Sequence, residues 1–254
     1  VAYIVLTNII SELTSILILF FFIPKNFKLS KKDIKPDKEN IKEVFAIGVP
    51  TTMSRIIGSI GFFFEPIILT YALLKSGYSN NYIVSEYGII NGYILPLVLL
   101  PSFFTLAISQ ALIPNISKAH KSKNYQYVKN KIKTAIYWSL LIGIPATLIF
   151  EIIPEIPMKL IYNQTIGINY LKALAPVFLL HYIQSPLTAS LQAMSKAKEA
   201  MNGTLIGTIF RTITLFIFSF IHIGLWSLII ATSLNVIIVT IHQYLCVKKE
   251  LKIA

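Results

Sequence analysis

The chain has 254 residues, of which 55% are hydrophobic and only 13% charged, with a mean hydropathy of +0.68; an ordinary soluble domain carries about 25% charged residues. The net charge of +12 would suit a nucleic-acid binder only if the basic residues formed one solvated face, and instead they collect in short segments between apolar runs. Composition therefore describes an integral membrane protein, with no nucleic acid expected as a partner.

A spanning helix needs about 20 apolar residues, and seven stretches qualify in chain order: 1–23, 44–74, 82–117, 134–153, 170–194, 202–221 and 225–247. Each is a long continuous run without the alternation of an outer-membrane strand, so the expected fold class is all-α, a polytopic membrane protein with seven transmembrane helices. The first stretch has neither a charged leader nor a small-residue cleavage site, and the sequence beginning at Val1 reads as the later part of a longer protein. Seven lysines lie between Pro24 and Glu43 and six between Lys118 and Lys133, and further lysines follow the fifth and seventh stretches. The intervening connections hold few. Such alternation is the positive-inside signature: it predicts a multi-pass cell-membrane protein whose basic loops and C-terminus are cytoplasmic, where they attract anionic lipids. Within the second basic segment Tyr125, Val128, Ile132 and Ile136 recur at helical spacing between lysines, which predicts a helix lying on the inner membrane surface.

Proline falls inside the apolar runs at Pro50, Pro66, Pro96, Pro101 and Pro186, among others. Each removes a backbone hydrogen bond and clashes with the preceding turn, so these positions predict kinks of the sort that line transport paths or shape packing. Charge within the runs is rarer and more costly, about 2.5 to 3.5 kcal/mol per residue on insertion scales. Arg55 and Glu65 share one run. Ten residues separate them, about 15 Å along a helix axis and about 80° around it, so they cannot pair with each other. Arg55 and the similarly placed Arg211 read either as cavity-facing anion-binding cations or as members of interhelical ion pairs. Glu65 reads as a structural counter-ion or as a coupling site, and His181 as a proton relay. Gln184, Gln192, Asn91, Gln110, Asn235 and Gln243 suit hydrogen bonds between helices.

Phosphate-loop, hydrolase-elbow and zinc-protease motifs are absent from the sequence, so no catalytic residues, cofactor or enzyme activity are expected. The single Cys246 cannot form a disulfide within the chain, and no Cys/His cluster has the spacing of a metal site.

Val49-Pro50-Thr51-Thr52-Met53-Ser54-Arg55-Ile56-Ile57-Gly58-Ser59 followed by Phe64-Glu65-Pro66-Ile67 resembles the seventh helix of the stage V sporulation protein B family of polysaccharide biosynthesis flippases. Leu100-Pro101-Ser102-Phe103, Ala111-Leu112-Ile113-Pro114-Asn115-Ile116-Ser117, Gln184-Ser185-Pro186-Leu187 and Ala200-Met201-Asn202-Gly203 are similar to later segments of the same group, in the same order. The resemblance places the chain in the multidrug/oligosaccharidyl-lipid/polysaccharide exporter superfamily, whose members have two six-helix lobes around a cavity. It implies that residues 1–23 are the last helix of an N-terminal lobe, 24–43 an interlobe connector, and 44–254 the second lobe. The implied activity is flipping of an undecaprenyl-pyrophosphate-linked cell-wall precursor by alternating access, in spore cortex synthesis, with Arg55 and Arg211 on the pyrophosphate. Competing expectations are a cation-coupled multidrug exporter and a non-transporting scaffold for cell-wall synthases.

Overall fold

The computed structural model describes residues 2–21 and 38–252, all but a few turns of which are helical. The basic connector expected at 24–43 lies largely outside the described residues. Two units are distinguished, residues 1–43 and 44–254. The first contains α1 (Ala2–Phe21), whose Thr14 and Ser15 hydroxyls donate to the carbonyls of Ile10 and Ser11 one turn back, at 2.7 and 2.9 Å, so that neither polar group is left unmet on an apolar helix. The second begins within α2 (Lys38–Lys75) and continues through α3 (Asn80–Ile89), α4 (Leu95–Leu99), α5 (Ser102–Lys121), α6 (Tyr125–Ile152), α7 (Glu155–Tyr162), α8 (Ile168–Ala193), α9 (Ala197–Ser219) and α10 (Trp226–Lys252).

Among the described residues five helices are long and apolar enough to cross a membrane: Val44–Lys75, Asn80–Leu99, Tyr125–Ile152, Ala197–Ser219 and Trp226–Leu251. The count of seven is reached only by adding α1, which is strongly apolar, and α8, which is helical but more polar. The polarity of α8 has a reason: it lies at the centre of the bundle, against α5, α6, α9 and α10, and its His181, Gln184 and Gln192 meet protein rather than lipid. Helices α9 and α10 pack closely at Gly207, where an added Cβ would collide with Val239 and stand 2.9 Å from Asn235 Nδ2.

The stretch expected as one helix over 82–117 is broken twice, and proline explains both breaks. Pro96 has no N–H to donate to the carbonyl four residues back; the turn before it widens into a π-helical segment, Ile90–Ile94, in which the Leu95 N–H reaches Ile90 O. Pro101 then separates α4 from α5 through tight i→i+3 turns. Tyr182 on α8 donates its hydroxyl to the Val98 carbonyl at 2.7 Å, satisfying a buried acceptor beside the break. Pro50 and Pro66 sit inside the unbroken α2, and Pro186 inside α8.

The surface helix expected around 125–136 does not form separately. α6 runs on without interruption, and Val128 and Ile132 are buried against Ile116, Leu187, Leu191 and Val247. The helical spacing is that of a core-facing stripe, and Lys129, Lys131 and Lys133 lie on its flanks, exposed or half-exposed.

Burial along α2 is graded. On the face turned to the bundle, Thr51, Ser54, Ile57, Gly58 and Gly61 are half-buried, whereas Glu65, Leu69, Ala72 and Leu73 are buried. Its C-terminal half is docked, with Ser76 Oγ donating to Ser219 O at 2.9 Å just beyond its end; its N-terminal half stands off. Substituting Gly207→Ala should lower stability in detergent by about 1 to 3 kcal/mol through overpacking of α9 on α10, read as a lower thermal midpoint. Gly58→Ala, where a Cβ meets nothing within 4 Å, should cost nothing.

Candidate functional site

The stand-off of α2 opens a polar cleft of about 320 Å³ between it and α5, α8 and α9. Thr51, Ser54 and Arg55 line it from α2, Ser109 and Gln110 from α5, His181, Gln184, Thr188 and Gln192 from α8, and Thr204 from α9. Gln192 Nε2 is 3.5 Å from Thr51 Oγ1, the long end of a hydrogen bond across the cleft. No carboxylate lines this space, and among the described residues Arg55 has no carboxylate partner. Arg55 also borders an apolar groove of about 440 Å³ on the flank of α2, with Thr52, Ile56, Ser59, Ile60 and Phe63. It therefore stands at the seam between a polar and an apolar space.

Further along α2 the chemistry is different. The Glu65 carboxylate forms an ion pair with the Arg211 guanidinium of α9. Both are well buried, at 3% and 11% side-chain exposure, a setting in which an unpaired charge is strongly unfavourable. Tyr87 on α3 donates its hydroxyl to Glu65 Oε1 at 3.2 Å, Arg211 Nη2 lies 3.5 Å from Thr232 Oγ1 on α10, and the guanidinium rests 4.6 Å from the centroid of Phe62. Four helices meet at this pair. The arginines are thereby separated: Arg211 is engaged by Glu65, the interhelical ion pair that is one of the two sequence readings of that residue, while Arg55 has no carboxylate partner among the described residues. Arg211 lines a second, more apolar cavity of about 530 Å³ with Phe62, Asn91, Phe103, Asn235 and others.

His181 and Gln184 border both cavities. The His181 ring lies tilted on Phe178, 5.2 Å between centroids, and Gln184 Nε2 donates to Val236 O and Thr240 Oγ1 at 2.9 and 2.8 Å. Thr188 donates to Gln243 Oε1 at 3.1 Å. Glu86 of α3 accepts the Tyr170 hydroxyl at 2.7 Å. Pro96 is in the wall of the second cavity, whereas Pro50, Pro66, Pro101 and Pro186 line neither.

Tyr87, Thr232 and Phe62 are members of the ion-pair network that sequence reasoning did not single out. A signal was available in depth: Glu65 lies ten residues before the end of α2 at Lys75, and Arg211 eight before the end of α9 at Ser219. Counting from the C-terminal ends of the two helices puts both charges at nearly one level, and Arg55 ten residues further from the end of α2 than Glu65.

A membrane helix bundle with a proline-broken helix beside a polar cleft is the fold of one half of a MATE transporter. The crystal structure of MATE in the straight conformation superposes with a TM-score of 0.79 over 95% of this chain and 54% of that one, at 17% identity. The chain belongs to the MatE family, whose model matches residues 90–217, and a model described as polysaccharide biosynthesis protein matches residues 1–120. Stage V sporulation protein B of Bacillus subtilis (strain 168) is 32% identical over 98% of this chain and 49% of its own length. Lipid II flippase MurJ of the same organism is 24% identical over 64% of this chain and 31% of its own. The chain spans about half the length of the first of these relatives.

The ion pair should hold α2 in place. Glu65→Gln or Arg211→Gln alone, each leaving a buried charge unpaired, should cost about 3 to 5 kcal/mol. The double substitution should cost less than the sum by about 1 to 3 kcal/mol, measured as a double-mutant cycle of thermal stability in detergent.

Proposed function

We propose that this chain provides one lobe of a membrane flippase that moves a lipid-linked pyrophosphate-sugar precursor of the cell wall across the membrane, in spore cortex peptidoglycan synthesis. The observation that carries the reading is the position of Arg55, an unneutralised guanidinium where a hydroxyl- and amide-lined cleft meets an apolar groove. A lipid-linked pyrophosphate has that order of parts: a sugar that hydrogen-bonds, an anionic junction, and a hydrocarbon tail. Guanidinium matches phosphate oxygens with paired donors and keeps its charge at any physiological pH. The names of relatives, a stage V sporulation protein and a lipid II flippase, support the same substrate class.

In this reading the lobe works with an N-terminal lobe of the same protein, joined by the basic segment 24–43, and the basic loops and C-terminus face the cytoplasm against anionic lipid. The headgroup enters the cleft from that side. Alternating access then follows from the unequal docking of α2: its outer half is pinned by Glu65 and Arg211, and its inner half, carrying Arg55 and Pro50, closes over the headgroup. A cation-coupled drug exporter is disfavoured, because such a cavity attracts its substrate with carboxylates and the one near this cleft, Glu65, is already paired.

The test uses the full-length protein in vesicles with a fluorescent lipid-linked pyrophosphate precursor. Arg55→Ala should reduce binding by about tenfold or more, the loss of a charged hydrogen bond, and abolish translocation at normal expression, with Arg55→Lys partly active. Unchanged translocation in Arg55→Ala would sink the assignment.

A further inference from the structure

Away from the cleft, α9 and α10 bring together three side chains that sequence spacing does not connect. Glu199 lies in the first turn of α9, and His242 and Cys246 lie one turn apart on a single face of α10. The ligand atoms they offer all fall within 4.8 Å of one another. Cys246 Sγ is 3.8 Å from Glu199 Oε2 and 3.8 Å from His242 Nδ1. In a tetrahedral zinc site, with bonds of about 2.3 Å to sulfur and about 2.0 to 2.2 Å to nitrogen and oxygen, neighbouring donor atoms stand about 3.5 Å apart. Both edges from the sulfur are within a few tenths of an ångström of that spacing, and the third, between carboxylate and imidazole, is no longer than 4.8 Å, so the three atoms outline one opened face of such a tetrahedron.

Two further observations bear on the site. Gly203, one turn after Glu199, leaves the space in which the imidazole sits: a Cβ there would lie 2.8 Å from His242 Nδ1. Glu250, one turn beyond Cys246, is engaged by Lys196 at 3.1 Å and His120 at 3.5 Å, so the triad is not one corner of a diffuse acidic patch. All three residues are half-buried, reachable by an ion yet partly shielded from water.

We propose that Glu199, His242 and Cys246 form a binding site for a thiophilic divalent transition metal, Zn²⁺ above all, with the fourth position left to water. Thiolate and carboxylate together neutralise the dication, and imidazole completes a donor set that zinc accepts and magnesium or calcium does not. Binding ties the beginning of α9 to the last turns of α10, the two helices that carry Arg211 and Thr232.

Cys246 is the only cysteine in this chain, and the loss of thiolate-to-cobalt charge-transfer absorption in Cys246→Ser assigns the band to this residue. Untagged protein, purified in detergent and stripped with chelator, should show that band saturating at one equivalent of Co²⁺. Zn²⁺ should displace the cobalt and raise the thermal midpoint. Cys246→Ser should remove the band, and His242→Gln and Glu199→Gln should each weaken Zn²⁺ binding at least about tenfold. Absence of the band in the unaltered protein overturns the site without recourse to any variant. A band that persists at full strength in both His242→Gln and Glu199→Gln, each verified as helical and monodisperse, reduces the finding to a lone reactive thiol and overturns it equally.

Discussion

The arrangement of this lobe depends on the buried pair between Glu65 and Arg211. Each ion loses hydration worth several kcal/mol on burial, and their mutual attraction offsets the loss together with the Tyr87 hydroxyl on Glu65, Thr232 beside Arg211 and the face of Phe62, although Arg211 Nε is buried without a hydrogen-bond partner. A pair so placed has little tolerance for displacement, which makes it a fixed point for α2 on the bundle. Among the described residues, no ion pair anchors the N-terminal half of α2 in the same way. The cleft exists because α2 is held strongly at one level and, across the cleft, only by the long Thr51–Gln192 contact at another.

Helix α8 resolves a different conflict. A central membrane helix that also lines a cavity needs polar side chains, and polar side chains in an apolar setting need partners. Gln184 and Thr188 find them on α10, and Tyr182 finds a backbone carbonyl beside the proline break. The same bonds that fix α8 to α10 orient Gln184 at the cavity wall. Cohesion and lining are therefore not separate sets of residues, and the low apolarity of α8 follows from its position.

Much of this was legible in the sequence, and the exceptions have physical causes. The all-helical membrane class followed from run length and charge distribution. Pro96 and Pro101 announced distortion, but which proline would break a helix and which, like Pro50, would be accommodated depends on neighbours that a single strand of sequence does not display. The stripe Tyr125, Val128, Ile132, Ile136 has the period of an amphipathic helix whether its apolar side meets lipid or protein; the period could not choose, and the partner helices α5, α8 and α10 did. That Arg55 and Glu65 could not pair was fixed by helix geometry alone. That Glu65 would take Arg211, 146 residues away, needed the depth of each charge as well as its presence. Glu199 with His242 and Cys246 was further from view, since the spacing rules for metal sites are local and this set closes across two helices.

The contrast between the two arginines bears most directly on what the cleft accepts. Two identical side chains sit in one lobe, one neutralised and one not, so the net field in the cleft is set by Arg55. A cation entering there would meet repulsion without a carboxylate to offset it; an anion gains the full interaction, in surroundings where water screens it less than in bulk. Position then restricts the anion further. On the flank of α2 beside Arg55, Ile56, Ile60 and Phe63 are exposed apolar groups, a surface that suits hydrocarbon, while the opposite wall offers hydroxyls and amides. A free phosphate or a soluble sugar uses only one of these surfaces. The proposed substrate, an amphiphile whose charge lies between its polar head and its tail, would use both and keep its tail in the bilayer while the head is enclosed.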